Sequence, residues 1–350
     1  MAIKNSKKKR ITRIVLIAFG VLLVMAGIAV YQVYHIFMQK NVNDQEEYFY
    51  VHTGWTYSDV VNELERLKVL DNNKTFEQAA EYMDYPDRVK AGKFRLEPGM
   101  SNRALINRLG GGLQEPVRIS FHNIRLKEDF AGQIARQLEP DSAAILGLIT
   151  DTARIREYGF TPDNIFSMFI PNTYEFYWNT SAERFVERMH TEYQRFWNDE
   201  RLRKAEALNM TPQEVSVLAS IVKGEAMHES EMPTIAGLYI NRLRKGIRLQ
   251  ADPTVIFANQ DFTIRRVLYR HLSFDSPYNT YIYAGLPPGP IMLPSIASID
   301  AVLNYEQHAY IYMCAKEDFS GYHRFAVTLA EHNRNARLFQ RALNERNIRQ

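Results

Sequence analysis

Chemistry is first to be sought at one carboxylate past the middle of the chain. The stretch Thr211 to Glu225, TPQEVSVLASIVKGE, reads as a helix that ends on an acid. Val215, Leu218, Ile221 and Val222 recur at helical spacing and mark an apolar face. Glu225 follows Leu218 by seven positions and Val222 by three, so it falls on the same side. A carboxyl on an apolar face loses water, and desolvation favours its protonated form. A glutamic acid that keeps its proton near neutral pH can serve as a general acid. The competing reading ends the helix near Gly224 and leaves Glu225 solvated.

Other chemistries find less support. Glu225 and His228 form Glu-x-x-His, with Glu229 and Glu231 close by. A carboxylate-bridged di-iron site needs two such motifs and two further glutamates, and there is no His-Glu-x-x-His or paired cysteine. No metal and no cofactor is therefore expected. Serine nucleophiles lack their elbow motif, and the lone Cys314 sits within a β-like run. Acid/base work by carboxylates remains. A glycoside hydrolase normally uses two, and Asp252 in LQADPT is the best second, although Asp-Pro-Thr is also a common turn.

The elements around Glu225 follow from local signals. Thr211, Pro212 and Glu214 make a capping box with proline at the first helical position. Upstream, Ala182 to Leu208 reads as one long amphipathic helix; downstream, Pro233 to Lys245 is helical and stops at Gly246. Residues 248–257, 276–291 and 293–295 are proline-containing polar-aromatic loops, where binding groups concentrate. Residues 309–316 alternate as a strand, and Arg334 to Arg346 reads as a basic C-terminal helix.

The N-terminal third is organised differently. Six basic residues precede residue 14, which leaves 37 basic against 40 acidic in the rest, so the folded part is no general nucleic-acid binder. The run from Ile14 to Val30 is apolar and continues to Met38, long enough to span a bilayer. A cleaved signal peptide is the rival reading, but its only small-x-small site, Gly27-Ile28-Ala29, is followed by more apolar sequence. Basic residues before the run and Asp44, Glu46 and Glu47 after it put the N-terminus in the cytoplasm. Residues 46–115 read as a small α/β module closed by Gly110-Gly111-Gly112.

Four segments, LASIVKGEA, YINRLRKGIRLQADPTV, PYNTYIYAGLPPGPI and HRFAVTLAEHN, occur in this order. Together they resemble the YceG-like family, the endolytic murein transglycosylases. The resemblance implies an α+β protein with a cytoplasmic tail (1–13), one transmembrane helix (14–38), a LysM-like module (46–115) and a catalytic domain (116–346). It implies cleavage of the MurNAc-β-1,4-GlcNAc bond in nascent glycan, leaving 1,6-anhydro-MurNAc ends and terminating elongation. One glutamate then suffices, since the sugar's own 6-hydroxyl attacks, and Glu225 matches the last acid of the family's Ser-Ile-Val-x-x-Glu motif. Gln250, Asp252, Thr254, Tyr278, Asn279, Thr280 and Tyr281 match the motifs that line the family's cleft. Asn241 and Arg242 match too, either there or as helix-end groups; His323, His332 and Asn333 are left between cleft and scaffold. One departure is Lys223, where the family often carries an acid; on a helix it faces away from Glu225. Implied partners are nascent peptidoglycan, its synthases and the inner membrane, with the catalytic domain in the periplasm. A non-catalytic glycan-binding or cell-division scaffold, and a muramidase-type hydrolase, are the alternatives.

Overall fold

The N-terminal apolar run is helical, and the helix begins before the run does. In the computed structural model, which describes residues 2–346 and side chains from Arg10 onward, α1 covers Ala2–Val33. Lysine and arginine are good helix formers, and nothing before Gly20 interrupts them. Residues Arg10–Met38 are long and apolar enough to cross a membrane, and Leu16, Phe19 and Leu22 are exposed.

The chain divides into two units. The first runs to Val117 and includes residues 175–179; the second holds 118–174 and the chain from Thr180 onward. That return of five residues to the first unit has no signature in the sequence.

In the first unit α1 passes into a π-helical turn, Tyr34–Met38, with no loop between them. Ile36 and Phe37 pack against the unit's core. There follow β1 (Tyr48–Val51), α2 (Tyr57–Arg66), α3 (Asn73–Tyr82), β2 (Gly92–Arg95) and α4 (Asn102–Gly111). β1 and β2 pair antiparallel, with Phe49 opposite Phe94, and both side chains are fully buried. α4 ends at Gly112, whose φ of +69° suits glycine. Asn102, also buried, joins three segments. Its amide donates to the Ile36 carbonyl (2.8 Å) and to Thr75 Oγ1 (3.2 Å), and its oxygen accepts from Asn41 Nδ2 (2.6 Å).

Next in the chain come β3 (Pro116–Ser120) and β4 (Thr173–Tyr177), which each straddle the division, and the second unit's α5 (Lys127–Ala135), α6 (Ser142–Thr150), α7 (Thr152–Glu157), α8 (Ala182–Phe196) and α9 (Asp199–Ala207). β3 pairs with β4. Phe130 anchors an aromatic cluster with Phe121, Phe169 and Phe185 at centroid distances of 5.1, 4.4 and 6.1 Å. The single helix expected over 182–208 is two, because Asn198 caps a new one by accepting from the Arg201 N–H.

α10 (Pro212–Glu225) has the expected capping box, with Thr211 and Glu214 bonded reciprocally at 3.2 and 2.8 Å. It has no solvent face through its middle: every residue from Val215 to Val222 is buried. α11 (Met232–Arg244), α12 (Asp252–Asn259) and α14 (Ile296–Leu303) pack around it, with the short α13 (Tyr269–Leu272) between the last two in sequence. α12 falls where a loop is expected; Pro253 is accepted because it occupies the first turn. β5 (Tyr312–Ala315) and β6 (His323–Ala326) pair antiparallel, and α15 (Leu329–Glu345) closes the described chain. α15 starts earlier than Arg334 because Thr328 and Glu331 form a second capping box. The described residues thus form an α+β fold with three two-stranded sheets.

Replacing Asn102 by Ala leaves the Asn41 amide with only its bond to the Asn72 carbonyl and takes the amide donor from the Ile36 carbonyl in a buried site, and is expected to lower stability by about 2–3 kcal/mol. The neighbouring cap change Ser101→Ala should remove only about 1 kcal/mol. Denaturant unfolding of the detergent-solubilised chain compares them; equal losses would mean that the Asn102 network contributes no more than a cap.

Candidate active site

Glu225 ends α10 at the floor of a cleft of about 400 Å³. The residue is half-buried, so the cleft reaches it, yet its carboxyl is desolvated enough to push its pKa up to about 7. Burial is the largest cause. The Tyr239 hydroxyl, which donates to Oε1 at 2.8 Å, pulls the other way, as does the backbone N–H of Asp252; the negative charge of Asp252 raises it again. The two donors sit where the carboxylate forms once the proton has left, so they stabilise the conjugate base without abolishing the acid.

Gly224 sets this arrangement. A Cβ there would stand 2.8 Å from the Pro253 Cβ, so only glycine lets the first turn of α12 lie against the end of α10. The Asp252 N–H, at the positive end of α12, can therefore meet Glu225. Ser220 ties in a second segment: its hydroxyl accepts from the Ile291 N–H at 3.1 Å and donates to the Val217 carbonyl at 2.7 Å.

Of the seven residues expected to bind substrate, three line this cleft: Gln250, Asp252 and Tyr281. The Tyr281 hydroxyl donates to Asp252 Oδ1 at 2.7 Å, and burial next to that carboxylate drives the tyrosine's pKa upward. Thr254, Asn279 and Thr280 turn inward instead. Thr254 and Thr280 share a buried hydroxyl contact (2.8 Å), and Thr280 Oγ1 accepts from the Ala251 N–H (3.0 Å). The Asn279 amide donates to the carbonyls of Leu272 and Phe274. Tyr278 stacks on Phe257 at 4.8 Å, away from the cleft lining. These four hold the loops in shape; they do not open on the cavity.

Arg242 lines the cleft but spends its donors on the scaffold. It contacts the Arg248 carbonyl (2.9 and 2.7 Å), the Ile311 carbonyl (2.6 Å) and Gln250 Oε1 (2.6 Å). It thereby fixes the loop that presents Gln250, whose φ of +52° is left-handed. Asn241 likewise donates to the carbonyls of His308 and Tyr310. Tyr312 and His332 stack as one wall, 5.4 Å apart, and burial and Arg242 hold the His332 pKa down. His323 completes the lining. His228 faces elsewhere, stacked on Tyr322 at 4.1 Å and bonded to the Ser320 carbonyl.

The profile described as the YceG-like family matches residues 49–338. The chain belongs to the YceG-like family. An endolytic murein transglycosylase of Bacillus subtilis (strain 168) is 28% identical over 316 residues, 84% of this chain and 85% of that one. The same-named protein of Streptococcus pneumoniae serotype 2 (strain D39 / NCTC 7466) is 25% identical over 81% of this chain; the alignment spans 56% of that longer relative. A crystal structure of a YceG-like protein of Listeria monocytogenes superposes with a TM-score of 0.55 at 28% identity, covering 82% of this chain and 98% of that one.

Within this YceG-like fold, sequence reasoning passed over Tyr239 and Glu231. Tyr239 lies in the buried run from Ile235 to Ile240 of α11, where a phenol needs a partner. Glu231 is weighed in the sequence only beside Glu225, His228 and Glu229 as a metal-ligand cluster, and its burial has no signal there.

The causes acting on Glu225 make opposite predictions for its neighbours. Asp252→Asn removes a like charge and should lower the Glu225 pKa by about one unit. Tyr239→Phe removes a donor to the carboxylate and should raise it. A titration of the Glu225 carboxyl, by carbon-detected NMR or infrared difference spectroscopy, reads both; shifts in one direction would refute the assignment of causes. The stability consequence has a definite sign. The folded value lies above the ordinary carboxyl value, so the contribution is full below about pH 4.5 and is lost as pH rises through about 7. Glu225→Gln should therefore raise stability at pH 8 relative to wild type, by at most about 3 kcal/mol and less where cleft water screens the charge. The gain should vanish near pH 5 in paired melting curves.

Proposed function

We propose that this chain is a membrane-anchored endolytic murein transglycosylase, with Glu225 as its acid and base. The observation that carries the reading is the desolvated carboxyl of Glu225 in the lining of a cleft, its pKa pushed up to about 7 and two donors facing it. The activity is that named for the relatives in Bacillus and Streptococcus.

In the reaction, Glu225 gives its proton to the glycosidic oxygen of the leaving GlcNAc and the bond from MurNAc C1 breaks. The MurNAc 6-hydroxyl closes on C1 and releases its proton to the Glu225 carboxylate. No water is consumed, and the acid is restored. Tyr239 and the Asp252 N–H lower the energy of the transient carboxylate, a preorganised electrostatic contribution. Gln250, Asp252 and Tyr281 are the groups we assign to sugar binding. The span Arg10–Met38 would hold the enzyme in the cytoplasmic membrane with the cleft outside, where nascent glycan and its synthases lie. Residues 46–115 would serve as the LysM-like glycan-holding module and 116–346 as the catalytic domain.

Asp252 favours one second reading. Its carboxylate lines the same cleft and could activate water, which would make the enzyme a hydrolase. The product decides. Mass spectrometry of nascent glycan digested by the full chain should show 1,6-anhydro-MurNAc ends, and Glu225→Gln should lower their yield by at least about a thousandfold. Reducing MurNAc ends would replace the proposal with hydrolysis. No cleavage by a folded, glycan-binding wild type would leave a scaffold.

A further inference from the structure

A buried titratable pair in the cleft takes no part in this scheme. Glu231, 6% exposed, lies in the turn that follows Glu225. Both its oxygens are taken by one residue of β6: Oε1 accepts from the His323 N–H at 2.8 Å, and Oε2 meets His323 Nδ1 at 2.7 Å. A carboxylate oxygen accepts, so Nδ1 is the nitrogen that carries hydrogen. In neutral imidazole this leaves a lone pair on Nε2. Nε2 has no hydrogen-bond partner among the described residues, and the ring lines the cavity that holds Glu225. A buried carboxylate behind an imidazole fixes its tautomer and stabilises the imidazolium when a proton arrives.

We propose that His323, oriented by Glu231, is a second acid/base group of the cleft and takes the proton of the attacking sugar hydroxyl through Nε2. The inference rests on the transglycosylase reading and revises one step of it: the proton of the 6-hydroxyl goes to His323 and not to the Glu225 carboxylate. Glu225 protonates the leaving oxygen as the bond to C1 breaks. The 6-hydroxyl oxygen bonds to C1 while its proton passes to Nε2. The imidazolium then loses that proton to solvent, and the Glu225 carboxylate regains one. Atoms and charge balance, and no co-reactant is needed. Glu225 is then free to carry its developing negative charge against Tyr239 and the Asp252 N–H while the hydroxyl is deprotonated elsewhere. His323 is thus assigned as a catalytic residue and Glu231 as a positioning residue.

The test is steady-state kinetics of the full chain in detergent on nascent glycan, with release of anhydro ends as the readout. His323→Gln should lower kcat by about a hundredfold or more with KM changed less than about threefold. Glu231→Gln, which keeps the imidazole, should lower kcat by about tenfold. His323→Ala should be inactive and regain rate on addition of free imidazole, which a merely structural pair would not permit. Retention of kcat by His323→Gln, a loss confined to KM, or failure of imidazole to restore any rate to a folded His323→Ala would each overturn the proposal. If the alanine variant does not fold, the two glutamine variants decide it. Wild type that makes no anhydro ends would refute the transglycosylase reading itself, an outcome distinct from any of these.

Discussion

Desolvation of one carboxyl is the constraint on which the second unit depends. Glu225 stands at the C-terminal end of α10, where the helix dipole already disfavours negative charge, and Val215 to Val222 of the same helix are all buried. Left alone, such a group would stay protonated well past neutrality and be a poor proton donor. Two fixed donors bring it back to about 7, close to where an acid can both give and recover a proton. Neither donor is incidental. Tyr239 comes from α11 and the Asp252 N–H from α12, the helices packed on α10. The position of Glu225 is therefore inseparable from the packing that makes the core.

The cations are arranged to leave that balance undisturbed. An arginine within a few ångströms would lower a carboxyl pKa by about 1–3 units and cancel the effect of burial. Arg242 lines the same cleft but gives its donors to two main-chain carbonyls and Gln250, and does not count among the causes acting on Glu225. Its charge is absorbed in shaping a loop. Lys223 precedes Glu225 by two positions and likewise does not count among the causes of its shift. In electrostatic terms no cation is among the causes that set the Glu225 pKa.

How much of this could be read from the sequence depended on whether the signal was local. The capping box at Thr211 and Glu214, the apolar spacing that runs into Glu225 and the long apolar N-terminus are one-dimensional patterns, and each appears in the structure at the expected place. What the sequence does not show is orientation. Thr254, Asn279 and Thr280 sit in motifs that flank the cleft, but whether a loop side chain points to cavity or scaffold depends on segments distant in sequence. Thr254 finds its partner 26 residues away. Tyr239 and the pair of Glu231 with His323 escaped notice for the same reason, since the pair spans 92 residues. The break at Asn198 and the early start of α15 were legible in principle, because both rest on capping residues present in the sequence.

The first unit answers a different physical demand. α1 does not hand over to a flexible tether. It continues through the π turn, and the carbonyl of Ile36 is gripped by the buried Asn102 amide while Phe37 packs into the core. A chain anchored by a free linker of n residues would explore a distance growing roughly as the square root of n; here the number of free residues between helix and module is effectively none. On the reading that Arg10–Met38 crosses the bilayer, the first unit stands directly on the membrane surface. Its height would then be set by side-chain packing and not by linker length.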